Sequence, residues 1–232
     1  MTTNQVLGLH HLGINVADAE SARDQLVGVG FEAGDLFRID NEGSAVGNGL
    51  RSIDMQVCFL RLGATTVEVI AHAAPASEAV AVAPAAGTTS WSVPRAGADA
   101  QVLDLPGVRA SVGPTDSVEL SWWTSDPEAT GELLVALGLQ RADDGWGFPG
   151  GRLRVAAADP GTAPPSVTAV GRTHLSFRYA DAQAVHDDLV DRGFECVSAP
   201  VSHEDVIFWF FVHAPGGGGS LEVIQDNDRI LG

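Results

Sequence analysis

The chain has 232 residues, 45% of them apolar and 19% charged, proportions that suit a globular protein able to bury one or two cores. Its formal net charge of −17, with 13 Lys plus Arg, argues against nucleic acid and against an anionic membrane as partners. Two distant cysteines without metal-type spacing, an N-terminus with neither a basic start nor an apolar core, and apolar runs too short to span a bilayer predict a reduced, soluble, cytoplasmic protein.

In chain order, Leu9 to Val16 alternates like a strand, and Asp18 is placed to cap a helix over Ala19–Val27 that Gly28 and Gly30 close. Phe31 begins a return strand, 43–49 reads as a polar glycine-rich loop, and Met55–Leu62 with Thr65–Ala71 form a strand pair turned at Gly63. The order is β-α-β-β-β, over residues 5–74. Residues 75–114 open as an Ala/Pro-rich linker and end in a remnant whose short strands flank Pro106-Gly107. A degenerate unit spans 115–160: a strand Val118–Thr124, a cap at Asp126 with Pro127 in the first turn, a helix closed by Gly138, and a final strand Arg152–Ala157. After a linker at 161–169, the last unit (170–228) repeats the pattern. It has a strand Thr173–Tyr179, a cap at Asp181, a helix Ala182–Asp191, and a terminal strand pair across the glycines at 216–219. The predicted fold class is α+β, with repeated βαβββ modules that pack to complete each other's core.

The repetition is explicit. HLGINVAD (11–18) returns as HLSFRYAD (174–181), and a degenerate copy, ELSWWTSD, lies at 119–126. The first and last units also close alike, in ATTVEVIAH (64–72) and GSLEVIQDN (219–227). Glu68 and Glu222 each sit between apolar neighbours in a strand, where burying a carboxylate is expensive unless something neutralises it. With His11 and His174 they form a candidate set of ligands for one divalent ion. Imidazole plus carboxylate suits Zn, Fe, Ni, Co or Mn better than Ca. In the degenerate unit Glu119 falls at the histidine position and Arg154 at the glutamate position, a self-neutralising pair that needs no metal. Alternation along the strand sends His10 to the face opposite His11, outside the site.

These residues resemble the vicinal oxygen chelate superfamily, which includes glyoxalase I, methylmalonyl-CoA epimerase, extradiol dioxygenases and bleomycin-resistance proteins. FVHAPGGGGSLEVIQ (211–225), and LHHLGINVAD followed by FLRLGATTVEVI, look most like the epimerase branch. The resemblance implies βαβββ modules paired into cupped, partly open β-barrels with flanking helices, around a divalent metal held by His11, Glu68, His174 and Glu222. An acidic Glu68 makes that set more like bacterial glyoxalase I.

The resemblance also implies chemistry. Two adjacent substrate oxygens chelated as an enolate lower the barrier to proton removal at the neighbouring carbon. Glu68 or Glu222 then serves as base, with His213 as a further acid/base candidate. Arg178, Trp209 and Phe211 are candidate substrate contacts, Arg178 for a carboxylate. The expected function is a metal-dependent isomerase or epimerase of a small oxygenated metabolite. A glyoxalase-like lyase, a ring-cleaving dioxygenase and a metal-free drug-sequestering protein remain the alternatives. Whether the half-sites meet within one chain or across a homodimer is left open by the sequence.

Overall fold

Among the described residues, aspartates start three of the four helices. Asp18, Asp126 and Asp181 each accept a hydrogen bond from the backbone N–H three residues on, satisfying a donor the first helical turn leaves free. The helices they cap carry the same unit of structure each time. The computed structural model describes residues 4–75, 88–95, 97, 99–159, 166–203, 205–215 and 219–226. The first unit comprises β1 (Gly8–Asn15), α1 (Ala19–Gly28), β2 (Glu32–Ala33), β3 (Phe37–Ile39), α2 (Glu42–Gly47), β4 (Asp54–Leu62) and β5 (Thr65–Ala74). Next come β6 (Thr89–Pro94), β7 (Gln101–Leu105) and β8 (Val108–Gly113). The third unit is β9 (Val118–Thr124), α3 (Pro127–Ala136), β10 (Gln140–Ala142), β11 (Gly145–Phe148) and β12 (Gly151–Ala157). The last is β13 (Thr173–Arg178), α4 (Ala182–Asp191), β14 (Val201–His203), β15 (Ile207–His213) and β16 (Ser220–Asp226).

Two stretches depart from the sequence reading. The stretch 43–49 is not an open loop. Most of it lies in α2, started by Asn41, whose side chain accepts from Ser44 N–H, and seated on a small cluster of Ile53, Met55, Val57 and Ile70. That apolar anchorage is tertiary and leaves no helical period in a glycine-rich string. The stretch 89–94 is a strand, β6, although flanking composition reads as linker. Its alternation of buried Thr89, Trp91 and Val93 with half-buried neighbours marks one face packed on the core. Most of the Ala/Pro-rich linker (76–87), part of the second linker (160–165) and the glycines at 216–218 lie outside the described residues.

The units pair in an order that differs from their sequence order. β1 runs antiparallel to β13, joining the first and last units into one sheet, β14-β15-β16-β13-β1-β5-β4-β2, with β3 also on β4. β6 runs antiparallel to β9, joining the second and third into another, β10-β11-β12-β9-β6-β8-β7. Within each unit the first strand lies parallel to the last: β1 on β5, β6 on β8, β9 on β12, β13 on β16. The fold is α+β, built of repeated, cupped βαβββ modules. Both sheets share one apolar core, in which Leu12, Val67, Val69, Phe177, Leu221 and Val223 of the first meet Trp91, Leu120, Trp122 and Leu153 of the second. Phe148 packs edge-on against Phe177, and the buried Tyr179 hydroxyl donates to Leu137 O at 2.9 Å, tying the last unit to α3. Because Val67, Val69, Leu221 and Val223 point into that core, alternation turns Glu68 and Glu222 toward the opposite, concave face.

Candidate metal centre

Register fixes the constellation. Gly13 on β1 lies opposite both Glu68 on β5 and His174 on β13, while His11 lies opposite Ser176, which in turn faces Glu222 on β16. Four side chains from the four central strands therefore converge on the concave face. His11 Nε2 lies 3.0 Å from His174 Nε2, 3.2 Å from Glu68 Oε2 and 3.1 Å from Glu222 Oε2. His174 Nε2 lies 3.3 Å from Glu68 Oε2 and 3.8 Å from Glu222 Oε2. One donor atom each from His11, His174 and Glu222 fits within 4.8 Å. All four residues come from one chain, so the half-sites meet without a partner.

These spacings suit a first-row divalent ion. Metal–nitrogen and metal–oxygen bonds of about 2.0–2.2 Å put neighbouring ligand atoms about 3.0–3.4 Å apart, and four of the five distances fall there. Two imidazole nitrogens 3.0 Å apart need a proton or a cation between them, since facing lone pairs repel. Glu222 Oε2 is buried and, although 3.1 Å from His11 Nε2, meets no aligned hydrogen-bond donor, an acceptor of the kind a cation would satisfy. Glycine makes the approach possible: a Cβ at Gly13 would collide with the His174 imidazole.

The electrostatics are those of a charged cluster without bulk water. Burial opposes charge on His11, but the Glu222 and Glu68 carboxylates together outweigh it and lift the imidazole to about 10. Burial likewise disfavours ionised Glu68 and Glu222, yet the adjacent imidazoles, His11 foremost, hold both below the usual carboxylate range. A divalent ion bound here at neutral pH would therefore displace a proton from His11.

One expectation about this face is overturned. His10 does not point away from His11. A register shift between Leu9 and His11 bulges β1, and a bulge re-aims side chains that regular alternation would separate. His10 is buried, its Nδ1 2.8 Å from His11 Nδ1 and its Nε2 3.5 Å from Asp226 Oδ2. Burial, then the neighbouring His11, holds its imidazole down to about 4.

The other residues singled out in the sequence fall partly around this cluster and partly away from it. Phe211 packs edge-on against His174, with ring centroids 5.2 Å apart, and Trp209 packs edge-on against Phe211 at 5.7 Å and closes over Gly47 of α2. His213 lines a cavity of about 40 Å³ beside His174 and shares a 3.1 Å hydrogen bond with Ser220, its partner across the strand pair. Arg178 lies at the far end of β13, opposite Gly8, and does not line that cavity. Arg172 does, together with Asn15, Asn48 and His72. Its position just before β13 gave no motif to find it by. Phe59, 5.7 Å from His11 and stacked on Phe37, was also missed, because an aromatic in a strand ordinarily reads as core.

The second sheet carries the equivalent positions without the chemistry. Glu119 stands two residues before Ser121, which faces Arg154, and β6 and β8 supply Ser90 and Ser111 there. Glu119 pairs more closely with Arg152, at 3.1 Å, than with Arg154, at 3.8 Å, and both arginines reach Asp144 at 2.8 Å. Among the described residues, the second sheet thus offers carboxylates paired with arginines at these positions, whereas the grouping of imidazoles with a carboxylate falls on the first.

Over 96% of this chain and 94% of the other, the structure is similar to a mutant of glyoxalase I from Zea mays, at TM-score 0.53 and 13% identity. The chain has the vicinal oxygen chelate fold. Two other structures align at lower scores. Methylmalonyl-CoA epimerase from Mycobacterium tuberculosis matches at TM-score 0.43 and 15% identity, over 97% of this chain and 92% of that one. 4-Hydroxymandelate synthase from Streptomyces coelicolor matches at TM-score 0.36 and 15% identity, over 96% and 93%. The fold assignment rests on the first. No family model and no curated protein sequence matches the chain. Among the described residues, no helix is long and apolar enough to cross a membrane.

Proposed function

We propose that this chain is a divalent-metal-dependent isomerase or epimerase that moves a proton on a small oxygenated metabolite. The observation that carries the proposal is the convergence of His11, His174, Glu68 and Glu222 within one chain, on a concave face walled by Phe59, Trp209 and Phe211. These four residues would hold the cation, which would supply stabilisation of negative charge developing on neighbouring substrate oxygens.

The residues of the chain do the rest. Glu68 and Glu222 carry carboxylates at the floor of the cup, held ionised by the imidazoles, and either would have an oxygen free to accept a proton from carbon once substrate binding displaced it from the cation. Inversion would require the opposite carboxylate to enter protonated and deliver its own proton to the other face while the base keeps the one removed, whereas return of the removed proton to the adjacent carbon isomerises the substrate. The aromatic walls exclude water from the reacting carbon. Arg172, its guanidinium lowered to about 10 by burial, and the amides of Asn15 and Asn48 line the adjoining cavity and suit a polar or anionic end of the substrate.

The test is metal analysis of the purified protein and of His174→Ala. The proposal expects about one transition-metal ion per chain in the first and loss of it in the second. A metal-free wild type that still binds a small molecule would instead favour a sequestering protein. Deuterium uptake by a turning-over substrate without oxygen consumption supports proton transfer, and stoichiometric oxygen consumption overturns it in favour of ring cleavage.

A further inference from the structure

The bulge in β1 does more than expose a second histidine. Consecutive strand residues normally face opposite sides, so neighbouring imidazoles cannot meet, whereas His10 and His11 approach through their Nδ1 atoms at 2.8 Å with rings 70° apart. Two nitrogens at that distance share one proton, one donating and the other accepting. His11 Nε2 is committed to the constellation, being 3.0–3.2 Å from His174, Glu68 and Glu222. The proton on His11 Nδ1 is then the one donated, and His10 Nδ1 accepts it. His10 must in turn carry its own hydrogen on Nε2, the atom that faces the Asp226 carboxylate at 3.5 Å. Every tautomer along Asp226, His10 and His11 follows from the two ends.

We propose that His10 is a positioning residue for the metal centre, holding His11 in the tautomer and ring orientation that present Nε2 to the cation, with Asp226 orienting His10. This rests on the reading of His11, Glu68, His174 and Glu222 as ligands of one metal ion. A ligating histidine ordinarily has its other nitrogen held by a carboxylate, carbonyl or water. Here a second imidazole takes that place, and the carboxylate stands one step further back. The device serves one imidazole only: the neighbour of His174 in the last unit is Thr173, whose Oγ1 is buried without a hydrogen bond. Nothing in the duplicated motif therefore announces it.

The test is a competition titration of the full chain with Zn²⁺, repeated with Co²⁺ so that the visible spectrum reports ligand geometry. His10→Leu fills the space without an acceptor, and His10→Asn keeps an oxygen close to the position of Nδ1. The expected result is a loss of metal affinity of about 10–100-fold in His10→Leu, with an altered Co²⁺ spectrum, and recovery of both to near wild type in His10→Asn. Thermal unfolding of the metal-free variants establishes that both are folded. Wild-type affinity in His10→Leu overturns the inference, as does equal weakening in His10→Asn, which would assign the effect to packing. A wild-type protein that binds neither ion at this site, with affinity unchanged in His174→Ala, overturns the metal-centre reading itself and is thereby told apart.

Discussion

Gly13→Ala tests whether the β1/β13 register builds the site. The new methyl lands on the His174 imidazole, and ordinary carbon contact of about 3.5–4.0 Å requires the ring to retreat by more than 1 Å. Metal sites tolerate about ±0.2 Å in ligand distance, so the imidazole leaves the constellation and the site keeps three ligands. Outer-sphere changes alone cost about 10–100-fold in affinity, and losing a direct ligand is expected to cost at least about 100-fold. Stability suffers much less, because His174 is partly exposed and its ring can swing outward. An overpacking cost near the low end, about 1 kcal/mol, lowers the Tm of the metal-free protein by about 2–4 °C. Gly28→Ala is the control, since a Cβ there meets nothing within 4 Å. Scanning fluorimetry with and without Zn²⁺, together with a chelator-competition titration, reads both quantities. If Gly13→Ala binds Zn²⁺ within about threefold of wild type, His174 does not ligate from its place above Gly13 and the register argument fails.

Three further outcomes are expected. Zn²⁺ affinity should rise about tenfold per pH unit from pH 7 toward 9, because His11 (raised to about 10) must release a proton; a flat profile in a pH-resolved titration would contradict that cluster. Without metal the sign reverses: a raised imidazole stabilises the fold fully below pH 6.5 and loses this as pH climbs through about 10, while the depressed Glu68 and Glu222 lose theirs as pH falls below about 4.5, so denaturant midpoints should peak between. Tyr179→Phe leaves the buried Leu137 carbonyl without its donor and should cost about 1–3 kcal/mol in urea unfolding without altering metal affinity, whereas Asp181→Ala, removing the α4 cap, should cost about 1 kcal/mol.

Much of this protein was legible in one dimension because duplication writes the same physics twice. Asp18, Asp126 and Asp181 mark helix starts by a local hydrogen bond three residues long, and such bonds need no tertiary context. Glu68 and Glu222 were conspicuous because a carboxylate between buried valines or leucines costs free energy that a repeated motif would not keep without compensation. The fold class, the four candidate ligands and their assignment to the first and last units all follow from that pattern.

Contacts between distant segments decided the rest. Only strand pairing settled that the first unit meets the last within one chain, because register between β1 and β13 depends on surfaces far apart in sequence (His11 and His174 are separated by 163 positions) and on the core each fills. The helix at 42–47 and the strand at 89–94 exist through what they pack against, and their composition alone argues for loop and linker. The placement of His10 turned on a single irregularity, the bulge in β1, which reverses the face of one side chain and lies outside any two-residue alternation. Gly13 reads as an ordinary strand glycine until the His174 ring is set above it. Sequence thus specified which chemical groups are present and how each strand is faced, since periodicity is local; the closeness of those groups is a property of the pairing, which only the folded chain possesses.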